Sequence, residues 1–148
     1  MKEKERSNIN KNHIILWFLN FDFPHEEITI KLNLQPTRIA TKGQEQVAPN
    51  GVKKISRHTY WEYEWKYESN EFISDVAKKF VNEIIKPRTE QIKTLAEKVD
   101  AEFKIVQYYY DGFTPGYHFT PQTLQVLVEA NLEMDIDVYC LYQEEANR

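Results

Sequence analysis

The strongest pattern along the chain is an alternation. From Thr59 to Tyr67, Trp61, Tyr63, Trp65 and Tyr67 fall on one side, while Tyr60, Glu62, Glu64 and Lys66 fall on the other. Period two with aromatic residues marks a β-strand whose aromatic side is buried. Ile14 to Phe21 is an apolar run of strand length, the pattern of a central strand covered on both faces. Phe103 to Tyr110 reads as a further strand, and Leu132 to Tyr142 as the last. In that last strand Leu132, Met134, Ile136 and Val138 share one face, and Glu133, Asp135 and Asp137 share the other. Leu34 to Thr41 is extended, and Pro36 confines it to a sheet edge or a strand start.

Period-four spacings and stop signals place the helices between these strands. Asp22-Phe23-Pro24 followed by Glu26 and Glu27 opens a helix that turns Ile28 and Leu32 inward, and Asn33 closes it. Ser69 and Asn70 offer caps for a helix over Glu71 to Lys86, with Phe72, Val76, Phe80 and Ile84 on its buried stripe. Pro87 breaks that helix, and Ile92, Leu95 and Val99 turn inward from the next. Thr120-Pro121 opens a last helix with a buried stripe of Leu124, Leu127 and Val128, ended by Asn131. Gly43 to Ser56 is polar around the turn signal Pro49-Asn50-Gly51, so it is a hairpin tip or a loop.

These elements predict an α+β fold: a mixed or antiparallel sheet of about five strands with helices on one face. A strand, a Pro-opened helix, Asn-Leu and an extended segment follow in order around Pro24 to Leu34 and again around Pro121 to Leu132. That echo suggests two similar β-α-β units. A length of 148 residues fits one domain over 13–142, between a polar tail at 1–12 and a flexible end at 143–148.

Charge narrows the partners. The net charge is −4, but residues 1–57 hold ten Lys/Arg and six Asp/Glu (+4), whereas 58–148 hold nine and seventeen (−8). A nucleic-acid binder would be strongly basic. No stretch reaches the roughly 20 apolar residues of a membrane span. The lone Cys140 excludes an internal disulfide, fits a reducing, cytoplasmic setting and is read as a small core residue.

Candidate chemistry is sparse. The four glycines form no phosphate-cradling loop, and His13, His25, His58 and His118 show no metal-ligand spacing. No catalytic residue, metal or cofactor is therefore expected. Asp135 and Asp137 stand on one strand face about 6–7 Å apart. That spacing suits a cation or acid–base work, and equally a solvated face. The basic set Arg38, Lys42, Lys53, Lys54 and Arg57 could meet an anion, with Trp61 and Tyr63 as a stacking wall. His118, Tyr109 and Asp111 gather in sequence around the Gly116 turn.

Several local patterns occur in a fixed order: Pro36-Thr37-Arg38 before Lys42-Gly43, Arg57 before Tyr60-Trp61-x-Tyr63, and Lys86-Pro87 after a long helix. Asp111-Gly112-x-Thr114-Pro115 then precedes a helix, and Met134-Asp135-Ile136-Asp137-Val138-Tyr139 closes the series. From about Ile14 to Tyr142 the chain resembles the bacterial domain-of-unknown-function family numbered forty-two seventy-nine. It departs in Asn131, where a glycine is common, and in the added Glu64-Trp65. The resemblance implies a small α+β cytoplasmic domain of bacteria or their phages and brings no catalytic residues. By analogy of size it points to an immunity protein or inhibitor.

The leading expectation is a non-catalytic protein-binding module. It would meet a toxin or defence protein through Glu133, Asp135 and Asp137, without nucleic acid or membrane. An anion- or nucleotide-binding domain built on Arg38, Lys42, Arg57, Trp61 and Tyr63 is the alternative, and a metal-dependent hydrolase centred on Asp135 and Asp137 is the third.

Overall fold

A computed structural model describes residues 9–110 and 115–141. Strand β1 (Lys11–Leu19) lies at the centre of a five-stranded sheet. It is flanked by β5 (Tyr60–Glu68) and β6 (Asp100–Tyr109), both antiparallel to it. The short β2 (Arg38–Ala40) pairs antiparallel with β5 at one edge. At the other edge β7 (Glu133–Cys140) pairs parallel with β6. The strand order is β2-β5-β1-β6-β7. The β3–β4 hairpin (Glu45–Val47 and Lys53–Ile55) is inserted between β2 and β5. At its tip Gly51 takes φ 80°, a conformation that favours glycine.

Helix α1 (His25–Leu32) connects β1 to β2. Helix α2 (Ile73–Phe80), a π turn (Val81–Ile85), a 3-10 turn (Lys86–Arg88) and α3 (Thr89–Ala96) connect β5 to β6. The order β1-α1-β2-β5-α2/α3-β6 is the split β-α-β-β-α-β arrangement. Helix α4 (Pro121–Glu129) and β7 extend it by one further parallel strand.

The sequence echo has a local cause. Asn33 and Asn131 both adopt the left-handed conformation, φ 48° and 55°. After α1, the amide N–H groups of Asn33 and Leu34 donate to the carbonyls of Ile30 and Thr29; after α4, those of Asn131 and Leu132 donate to Val128 and Leu127. Both helices thus end in the same double-bonded closure, in which Asn stands where Gly is commonest. The tertiary contexts differ, because β5 separates β1 from β2 while β6 and β7 are neighbours.

One side of the sheet and the helices form the core. Ile14, Leu16 and Phe18 of β1, Trp61 of β5, and Phe103 and Ile105 of β6 meet Ile28, Phe80, Ile85 and Ile92 from the helices. The aromatic side of β5 faces this core, as its alternation requires. Pro87 changes the winding without interrupting the helical path: the π turn and the 3-10 turn carry the chain through it. The Arg88 side chain donates to the carbonyls of Leu32 and Ile84 across that passage.

Five expectations are corrected by position. Phe72, placed on the buried stripe of its helix, precedes that helix and is exposed. Leu124 and Val128 of α4 are exposed, Val128 at 75%, and the buried face holds Thr123, Leu127 and Ala130 instead. Cys140 is exposed, because it ends an edge strand. The caps expected at Ser69 and Asn70 lie too early: Phe72 precedes the helix, Ser69 Oγ accepts from the Glu71 amide, and Asn70 Oδ1 from that of Asn10. Lys11 and Asn12, assigned to the tail, already belong to β1, and Asn10 and Asn12 are buried. Asn12 Nδ2 donates to the Ser69 carbonyl and Gln107 Nε2 donates to Asn12 Oδ1. The Tyr117 hydroxyl completes the network by donating to Gln107 Oε1 at 2.7 Å, and burial pushes its pKa up to about 12.

Candidate functional site

The strand register puts a second set of side chains on the sheet face away from the helices. His13, Ile15 and Trp17 come from β1, Tyr60, Glu62 and Glu64 from β5, Lys104 and Tyr108 from β6, and Asp135, Asp137 and Tyr139 from β7. Because side chains alternate, this face was fixed as soon as Trp61 and Leu16 were committed to the core.

Cross-strand pairs organise it. Arg38 grips Glu62 with Nε and Nη2, both at 3.0 Å, and lies 5.6 Å from the centre of the Tyr60 ring. Glu62 is only 5% exposed. Burial raises its carboxyl pKa above the ordinary value; Arg38 opposes that rise and does not cancel it. His13 Nδ1 is 3.2 Å from a Glu64 oxygen. Lys104 Nζ sits between Asp135 at 3.2 Å and Asp137 at 3.1 Å, and also 5.4 Å from the centre of the Trp17 ring. Burial works against the Lys104 charge, but hydrogen bonds to Asp137 and Asp135 outweigh it and leave the pKa raised. Glu102, beside them, is also pushed up, first by burial and then by Asp135, with Glu133 and Asp100 adding to it. Tyr108 and Tyr139 stack with ring centres 5.1 Å apart.

The hairpin stands over one end of this face. Between them is an open cavity of about 540 Å³, lined by Trp17, Gln46, Lys54, Ile55, Ser56, Arg57, His58 and Tyr60. Trp17 and Tyr60 meet edge to face at 6.2 Å. His58 Nδ1 is 3.1 Å from Asn20 Oδ1, which holds the ring at the rim.

The predicted site residues separate. Trp61 is fully buried and its Nε1 donates to Thr29 Oγ1, while Tyr63 packs against Phe80 on the core side. Neither can share a surface with Arg38, which lies on the opposite face. Lys42 lines a different hollow with Phe21, Asp22 and Lys98. Of the anion set, Arg57 and Lys54 line one cavity together. Asp135 and Asp137 do share a face, and they hold the Lys104 ammonium where a bound cation would sit. Among the described residues no three His, Cys, Asp or Glu side chains are grouped to hold a metal. The Gly116 turn cluster is incomplete here, since Asp111 lies outside the described residues. Sequence reasoning missed Trp17, because a continuous apolar run hides which face each residue takes. It also missed Lys104, which only the pairing of β6 with β7 brings to the two aspartates.

Residues 10–141 match the model of the family described as Domain of unknown function (DUF4279). No curated protein and no solved structure matches the chain. Among the described residues no helix is long and apolar enough to cross a membrane.

Proposed function

The chain belongs to the DUF4279 family, and on that footing we propose that it is a non-catalytic protein-binding module of the bacterial or phage cytoplasm. In this reading it acts as an immunity protein or inhibitor, neutralising a toxin or defence protein through a basic extended segment. The observation that carries the reading is the state of β7. Among the described residues this eight-residue strand pairs on one side only, with β6. An unpaired rim of backbone N–H and C=O groups can accept an added strand.

Charge supports a basic partner. Glu133, Asp135 and Asp137 alternate along β7, Glu102 stands beside them on β6, and Lys104 pairs with Asp135 and Asp137. The elevated Glu102 pKa reflects that residual negative field as well as burial. A second copy of β7 would set acid against acid, which destabilises cross-strand pairs, so a different protein fits better than self-association.

The test begins with affinity capture by the full chain from its native host. The captured partner's association rate is then measured against wild type and the Asp135→Asn/Asp137→Asn variant. The variant is expected to keep its circular dichroism spectrum and associate more slowly, and added salt is expected to slow the wild type in the same way. Rates indifferent to both variant and salt would refute the reading.

A further inference from the structure

The cavity beneath the hairpin is electrostatically unlike the rest of the molecule. The chain carries −4 overall, yet no Asp or Glu lines this cavity, while Lys54, Arg57 and His58 do. Lys53 and Arg38 are neutralised by Glu45 and Glu62. Lys54 and Arg57 have no ion-pair partner among the described residues, and both are exposed. Trp17 and Tyr60, whose rings meet edge to face, line it from the sheet, and Ile55 adds an apolar side chain from the hairpin. A volume of about 540 Å³ falls within the few hundred to roughly 1,000 Å³ usual for small-molecule sites.

We propose that this cavity binds a planar organic anion of mononucleotide size. Its ring lies against Trp17 and Tyr60, and its phosphate or carboxylate meets Lys54 and Arg57. Aromatic side chains stack on any planar ring, and a guanidinium matches phosphate and carboxylate with paired hydrogen bonds. This site is separate from the β7 rim, so it stands or falls independently of the partner reading.

Isothermal titration of the full chain tests it with four probes: adenosine monophosphate, indole-3-carboxylate, adenosine and inorganic phosphate. At least one ringed anion is expected to bind about tenfold or more tightly than both adenosine and phosphate. Which of the two binds more tightly identifies the source of the anion, a nucleotide or an aromatic acid. Replacing Lys54 and Arg57 together by Gln is expected to weaken that binding at least about tenfold, with the thermal midpoint unchanged because both side chains are exposed. Phosphate or adenosine binding as tightly as the ringed anions, no binding of either ringed anion, or an unaffected Lys54→Gln/Arg57→Gln variant would overturn the proposal.

Discussion

Phe80→Ala probes the joint on which the helical layer rests. Phe80 is fully buried at the end of α2, where the α-helix gives way to the π turn. Its ring lies 5.1 Å from Trp65 at an interplanar angle of 83°, 5.9 Å from Phe103 and 6.1 Å from Tyr63. Truncating a buried Phe to Ala costs about 3–5 kcal/mol, from lost transfer energy and the cavity left behind. Each well-placed aromatic pair adds about 0.5–1.5 kcal/mol, although such contributions do not sum. Val81, Ile84 and Ile85 in the next turn are buried as well, so the backbone beside the cavity is pinned and closes poorly. The expected loss is therefore at the upper end, about 4–5 kcal/mol. That is a large share of the roughly 5–15 kcal/mol that stabilises an ordinary domain. Urea denaturation followed by circular dichroism and tryptophan fluorescence reads it as a lower midpoint at constant slope. Val128→Ala is the control: this residue is 75% exposed, and the change should stay within about 0.5 kcal/mol. A Phe80→Ala loss below about 1 kcal/mol, or one matched by Val128→Ala, would refute the assignment of the buried faces.

Two further perturbations follow from buried polar groups. Asn12→Ala leaves the Gln107 amide without its acceptor and the Ser69 carbonyl without its donor, so it should cost about 1–3 kcal/mol in urea denaturation; a neutral result would return Asn12 to the tail. Glu62→Gln should change the pH dependence of stability. The folded carboxyl holds its proton above the ordinary value of 4.5, so the folded state binds more protons than the unfolded state as pH rises from there, and stability falls through that window. Glutamine has no such proton. The stability of wild type minus variant should therefore decrease as pH rises from 4.5 towards neutrality, and a flat or rising difference in denaturation midpoints would contradict a raised Glu62 pKa.

What the sequence determined by itself is the local geometry. The alternation at Tyr60–Glu68 placed Trp61 inside, Asn33 and Asn131 ended two helices in the left-handed conformation, Thr120-Pro121 opened α4, and Pro36 preceded an edge strand. Each of these depends on a residue's own sterics, its hydrogen-bonding groups or the period of a single element, all of which act over a few neighbours. Burial on α4 required knowing which elements lie beside it, so Leu124 and Val128 were misplaced although the helix was found. The alternation named the face of Glu62 but not Arg38, brought over it by β2 from twenty-four residues away. Lys104 reached Asp135 and Asp137 only through the parallel β6–β7 register, and Trp17 reached Tyr60 and the hairpin only through the antiparallel pairing of β1 with β5. The candidate sites were decided by tertiary structure because a charge or a ring acquires its environment from strands far away in sequence, and the local pattern does not encode that pairing.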